Sequence, residues 1–327
     1  SYFPIGKTSI TDMPQIVESK TLALYKDYTI SENINIVPCE MSSFQWLKYE
    51  EIYKIDKLKS LNNLKRNTIY DNSVFDYNIR NRQNCNIIYK DDKFKYKKGE
   101  EFLVMKKAVY DSILADNSLL KENIKVYSPK FFKILENMDK FIDSNGLPTG
   151  KVMYYSEFRQ ESGSEIFENI LKANGYEKYE HDEQNIDDMN DTDIKKRYTF
   201  ITGSESKSVR KNNKYAYNHI KNLNGEYIQV ILISSAGAEG ISLKAVRQVH
   251  IMEPYWNFGR INQVFGRAIR FKSHVDFEDE SKRTVEQYLY LSFLPKGDSI
   301  ESIYINMKDD DILWPELKDI NIDTNIS

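Results

Sequence analysis

The residues best suited to chemistry lie in the run Gln263-Val-Phe-Gly-Arg-Ala-Ile-Arg270. Gln263, Arg267 and Arg270 stand four and three residues apart, a spacing that puts all three on one face of a helix. Two guanidiniums fixed on one rigid face repel each other unless they meet an anion, and arginine's planar fork matches phosphate oxygens. Gly266 leaves that face open to close approach. The plainer alternative is a solvated basic face, Arg260–Arg267–Arg270–Lys272, held by surface salt bridges. Twenty residues upstream ends a second run, Ile231-Leu-Ile-Ser-Ser-Ala-Gly-Ala-Glu-Gly-Ile-Ser-Leu243. Its two glycines let the backbone turn sharply and come close to a ligand. In isolation that run reads equally well as a tight strand-to-helix connection.

Three apolar runs end in the same kind of residue: Ser156, Thr202-Gly203 and Ser234-Ser235. Ligands of open parallel sheets gather at the carboxyl ends of the strands, where small hydroxyl residues and glycines can donate hydrogen bonds to phosphates. One such ending merely turns the chain in many proteins. Three in one sheet point to a phosphate-bearing ligand.

These residues need a scaffold. Residues 1–40 read as extended segments punctuated by Pro4, Pro14 and Pro38. A helix opens after Met41, capped by Ser42 or Ser43, with Trp46, Tyr49, Ile52 and Tyr53 at helical spacing. Residues 54–101 are polar and weakly periodic. Tyr127 to Phe141 reads as a helix with Ser128 at its N-cap and Pro129 in its first turn. After the turn-rich break 144–150, strands are expected at 151–156, 197–203, 227–233, 246–252 and 287–293. Helices are expected at 164–175, 208–223 and about 258–271, and the acidic stretch 177–193 as an exposed insertion. Strands alternating with helices in this way predict an α/β fold with a parallel sheet covered on both faces.

Composition narrows the classes. The chain has 327 residues, 40% of them hydrophobic and 29% charged, and a mean hydropathy of -0.61. No run approaches the length of a membrane span and no apolar signal region opens the sequence, so an intracellular protein is expected. Cys39 and Cys85 are too few and too isolated for a disulfide framework or a zinc site, and no metal ligands are assigned. A net charge of -3 excludes coating of DNA by overall charge, so any nucleic acid must meet a local surface. The 23 tyrosines read as codon bias.

In order and type, Lys151-Val-Met-Tyr-Tyr-Ser-Glu-Phe158, the Ser234–Leu243 run and Gln263–Arg270 resemble motifs IV, V and VI of superfamily-two helicases. Glu253-Pro-Tyr-Trp-Asn257 resembles the Swi/Snf-like branch. Met41-Ser-Ser-Phe-Gln45, Arg82-Gln-Asn-Cys-Asn86 and Gly266-Arg-Ala-Ile-Arg-Phe-Lys-Ser-His274 are similar to the helicase-like NTPases of large cytoplasmic DNA viruses. Those are nucleoside triphosphate phosphohydrolase I and the early transcription factor small subunit. The resemblance covers about residues 1–295 and is strongest over 127–295.

It implies a RecA-like second lobe at 126–305, an irregular, partly helical bridging region at 1–125, and an acidic tail at 306–327. It implies Arg270 as the arginine finger, with Arg267 beside it on the γ-phosphate. Gln263, Gly266, Gly240 and Ser242 would line the nucleotide. Ser156, Thr202, Gly203, Ser234 and Ser235 would face the nucleic-acid backbone. ATP and Mg2+ are the implied cofactors. The implied partners are DNA or RNA, an N-terminal RecA-like lobe, and a promoter-binding subunit or viral RNA polymerase, in the virion and the host cytoplasm.

A P-loop and an acidic magnesium box are absent from the runs where they would be recognised. Ile5-Gly6-Lys7-Thr8 lacks the leading glycine and strand, and Gly146-Leu-Pro-Thr-Gly-Lys151 has the wrong glycine spacing with Val152 in place of the Ser/Thr. The chain alone is therefore expected to be inactive, with the phosphate cradle on another lobe. Two other readings stay open. One is a catalytically inactive RecA-like docking module for a transcription factor or polymerase; the other is a restriction- or repair-type motor.

Overall fold

The computed structural model describes residues 13–16, 34–50, 53, 81–88, 117–159, 162–180, 185–238, 240–255 and 258–295. The expectations for the stretches between these, and for the tail from 306, lie outside the described residues. The strands are β1 (Gln15–Ile16), β2 (Ile34–Glu40), β3 (Lys151–Ser156), β4 (Glu177–Lys178), β5 (Arg197–Ile201), β6 (Val230–Ser234), β7 (Val246–Ile251) and β8 (Thr284–Phe293). The helices are α1 (Lys121–Tyr127), α2 (Pro129–Met138), α3 (Ser164–Ala173), α4 (Lys207–Asn218), α5 (Ser235–Ala238) and α6 (Phe258–Phe265). Residues 43–50 and 81–86 are also helical.

Every pairing between these strands is parallel. The sheet runs β1-β8-β7-β3-β6-β5-β4, with β2 also on β8. β3 lies between β6 and β7, so the chain changes direction across the sheet at β3. That switch point is where such sheets open a crevice.

Both faces of β3 are buried, and its alternation divides the core. Val152 and Tyr154 pack with Phe131 and Ile134 of α2 and Phe167 and Ile170 of α3. Met153 and Tyr155 pack on the other side with Tyr217 of α4 and Ile261 and Phe265 of α6. The helix ends follow local chemistry. Ser128 caps α2 by accepting the Phe131 N–H at 3.1 Å, with Pro129 at the first position. α3 stops at Asn174-Gly175, where Gly175 takes φ 81° and the Tyr176 N–H reaches the Leu171 carbonyl at 3.0 Å.

Four expectations change. The line drawn at residue 126 does not coincide with an edge of the sheet, because β2 runs along β8 from Ile34↔Gln287 to Glu40↔Phe293. A parallel pairing so distant leaves no local signature; Pro38 fits there because an edge strand has an outward side needing no N–H. The acidic stretch is not wholly an exposed insertion: it supplies β4, and Tyr179, Ile186 and Met189 are buried. α6 ends at Phe265 instead of about 271, since the next amides tighten to Arg267 N→Val264 O and Ala268 N→Phe265 O, both 3.0 Å. α1 has no counterpart among the expected helices.

Candidate functional site

The carboxyl ends of β3, β5 and β6 lie side by side. Ser156 pairs in register with Ser234, and Ile201, just before Thr202, pairs with Ile233. Their availability differs. Ser156 is 0% exposed and its hydroxyl donates to Glu253 Oε1 at 2.6 Å, so it offers no surface to a ligand. Thr202 is buried too; its N–H and hydroxyl reach Glu205 Oε2 at 2.6 and 2.7 Å. Burial pushes the Glu205 carboxyl up, but hydrogen bonds from Thr202 and Ser204 outweigh it and hold the group below the usual carboxylate range. Gly203 is exposed beside them. Ser234 and Ser235 stand at the β6–α5 junction, and their hydroxyls engage no other described residue.

After β6 the chain turns into α5. Gly237 packs under β5, where a Cβ would overlap the Ile201 carbonyl oxygen, so no larger residue fits. Gly240 takes φ 69° in open space. The tail that follows is strapped on both sides. Asn218, the last residue of α4, donates to the Ser242 carbonyl and accepts the Lys244 N–H, each at 2.9 Å. On the opposite side the Leu243 N–H donates to the Arg267 carbonyl at 3.0 Å, joining this loop to the arginine run.

Gln263 is exposed on α6, and Arg267 and Arg270 lie in the tight turns beyond it, each half-buried. Arg270 Nε donates to the Gly266 carbonyl at 2.9 Å. Arg267 Nε is buried without a hydrogen-bond partner. Among the described residues neither guanidinium has a carboxylate within salt-bridge distance. Arg260, on the same helix, is different: it pairs with Glu157 at 3.1 Å and lies 4.4 Å from the Tyr255 ring centroid. The arginines of the basic face therefore divide into one paired with an acid and two without an acidic partner among the described residues.

Several groups here escaped the sequence reading. Glu253 is buried after β7 and accepts from Ser156, from Asn86 Nδ2 at 2.6 Å and from the Glu157 N–H at 2.9 Å. Buried Lys130 donates to Asn86 Oδ1 at 3.2 Å and to the Met252 carbonyl at 3.0 Å. Burial raises the Glu253 carboxyl above, and holds the Lys130 ammonium below, their ordinary ranges. No local pattern marks these partners. α4 is another omission, and a legible one: between Glu205 and Glu226 there is no acid, but Lys207, Arg210, Lys211 and Lys214 fall on the helix. None of the four has an acidic partner among the described residues.

Lys151 is no phosphate ligand. It is buried, donates to the Tyr217 carbonyl at 2.8 Å, and is pushed down to about 7 by desolvation. Among the described residues no cluster of three or more His, Cys, Asp or Glu could hold a metal ion, and no helix is long and apolar enough to cross a membrane. Both cysteines are free.

Residues 133–272 match the family model described as the helicase conserved C-terminal domain. The chain is 32% identical over 260 residues, 79% of its length, to a putative ATP-dependent RNA helicase of Acanthamoeba polyphaga mimivirus. The match spans only 40% of that protein. Over 96 residues it is 44% identical to a termination factor NPH-I homolog of African swine fever virus, covering 29% of this chain and 14% of that one. Among solved structures it is similar to the Sulfolobus solfataricus SWI2/SNF2 ATPase core in complex with dsDNA. That likeness has a TM-score of 0.44 at 13% identity, covering 81% of this chain and 42% of the other.

Proposed function

The chain belongs to the superfamily-two helicases and carries their conserved C-terminal domain, and from that premise we propose that this lobe supplies the arginine finger of a nucleic-acid-dependent ATPase. The observation that carries the reading is the pair of guanidiniums on Arg267 and Arg270 with no carboxylate partner among the described residues, Arg267 having an orphaned buried Nε. A buried donor without a partner is costly, and an anionic oxygen is the group that satisfies it. Arg270 is the finger and Arg267 its companion on the γ-phosphate. Fingers of this kind are worth roughly 10³–10⁵ in rate.

Gln263, Gly266, Gly240 and Ser242 form the nucleotide edge. The strap from Leu243 to the Arg267 carbonyl gives that edge a fixed spacing from the arginines. The ATP phosphates and Mg2+ would be held mainly by an N-terminal RecA-like lobe facing this one. Gly203, Ser234 and Ser235 face the nucleic-acid backbone, extended by the cations of α4. The engaged hydroxyls of Ser156 and Thr202 stabilise the loop ends instead. Viral transcription is the setting that the relatives favour.

The test is Arg270→Ala in the full-length protein. Nucleic-acid-stimulated ATP hydrolysis should fall by roughly a thousandfold or more while the melting temperature holds. Near-normal turnover would remove Arg270 from the role. No stimulated turnover in the wild-type protein would favour the docking module.

A further inference from the structure

Beyond the arginines, the chain makes a turn whose outside is exposed and whose inside is buried. Phe271 is 48% exposed, and Lys272 takes a left-handed φ of 59°. Ser273 and His274 are only 4% and 1% exposed. Ser273 Oγ lies 3.3 Å from the Arg270 nitrogen, 2.7 Å from the Arg270 carbonyl oxygen and 2.8 Å from His274 Nδ1. His274 Nε2 is 2.7 Å from the carbonyl oxygen of Val246, the first residue of β7.

The partners fix the protons. A carbonyl only accepts, so His274 Nε2 carries the ring proton and Nδ1 is left as an acceptor. Burial pushes the His274 ring down to about 4, which keeps it neutral in that tautomer. Ser273 Oγ then accepts the Arg270 N–H and shares its one proton between Nδ1 and the Arg270 carbonyl, which also accepts the Ser273 N–H at 3.0 Å. The Ala245 N–H donates to the Ser273 carbonyl at 2.8 Å and fastens the main chain to the same place.

We propose that Ser273 and His274 are positioning residues that hold the main chain of Arg270 against the root of β7. The inference rests on the reading of Arg270 as the finger. The helical ladder closes with Ile269 N→Phe265 O at 3.1 Å, so Arg270 has the first amide beyond it, and that amide is met by Ser273 Oγ. Apart from this relay, among the described residues the Arg270 side chain is tethered only to its own turn, through Gly266. A finger displaced by a fraction of its length loses rate rather than ligand affinity, because its contact forms as charge develops on the transferring group.

The experiment is a double-mutant cycle in the full-length protein, read as ATP turnover with saturating nucleic acid. Ser273→Ala should lower kcat by about tenfold with KM for ATP unchanged, and Ser273→Thr, which keeps the hydroxyl, should restore most of it. In the Arg270→Ala background Ser273→Ala should change nothing further. Unchanged kcat in Ser273→Ala, or a full additional loss in the Arg270→Ala background, overturns the inference while leaving the finger intact. Normal turnover in Arg270→Ala alone is instead the failure of the finger reading. If Ser273→Ala does not fold, His274→Gln takes its place in the cycle with the same outcomes: its amide can still donate to the Val246 carbonyl and support the fold, but it offers no acceptor at the Nδ1 position for Ser273 Oγ.

Discussion

Ser156 Oγ donates to Glu253 Oε1 at 2.6 Å, joining the carboxyl ends of β3 and β7 beneath the surface of the switch-point crevice. The carboxylate also holds Asn86, which in turn accepts from Lys130 and whose main-chain carbonyl takes the Ser128 hydroxyl. Residues 81–88, the N-terminus of α2 and both strand ends are thus tied through one buried carboxyl group. Glu157, the residue after Ser156, is largely buried and pairs with Arg82 and Arg260.

Glu253→Ala should be severely destabilising. It leaves the Ser156 hydroxyl, the Asn86 amide and the Glu157 N–H without this acceptor, a loss of about 1–3 kcal/mol for each buried donor left unsatisfied. Glu253→Gln keeps an acceptor oxygen and should cost clearly less. Urea unfolding of the three proteins measures the difference; equal midpoints for wild type and Glu253→Ala would show that the network contributes no stability.

Acid should weaken the fold before ordinary carboxylates titrate. His250 is buried in β7 against the rings of Tyr288 and Tyr290, with Nδ1 2.7 Å from the Tyr290 hydroxyl and Nε2 3.1 Å from Gln248 Oε1. Burial, reinforced by Lys140, pushes it down to about 3 from an ordinary value of 6.5. A depressed folded value means that its contribution is fully present above 6.5 and is lost as pH falls toward 3. His274 acts with the same sign. Glu253 opposes both, since its raised folded value contributes stability at low pH that is lost as pH rises. Between about pH 6.5 and 4.5 the stability of His250→Gln should therefore decline less than that of wild type. Parallel slopes in chemical denaturation would count against a neutral buried His250.

The cations of α4 should appear in the salt dependence of binding. If Lys207, Arg210, Lys211 and Lys214 meet phosphates, replacing Lys211 and Lys214 with Ala weakens nucleic-acid binding without altering ATP affinity. The slope of log K against log salt on duplex should then shrink by about 0.9 for each phosphate no longer neutralised. Fluorescence anisotropy over a salt series gives the slope. An unchanged slope would place the nucleic acid elsewhere.

Much of the molecule is legible from the chain because its signals are local. The cap at Ser128, the apolar period of α2 and α3, and the small residues ending β3, β5 and β6 are set by neighbours within a few positions. The arginine spacing belongs to the same class. The Thr202–Glu205 pair is also local, only three residues apart, and could have been read as a turn already satisfied.

By itself the sequence determined the alternation of strands and helices and the runs that reach the sheet's carboxyl edge. Tertiary structure decided which groups on that edge remain free. Ser156 is consumed by a glutamate 97 residues away, Arg260 is taken by Glu157, and Arg267 and Arg270 are left without acids among the described residues. It also placed β2 against β8 and Ser273–His274 behind Arg270. The physical reason is that hydrogen bonds and ion pairs are made with whatever the fold brings near. Residue type fixes what a side chain can do, and only packing fixes what it is left free to do.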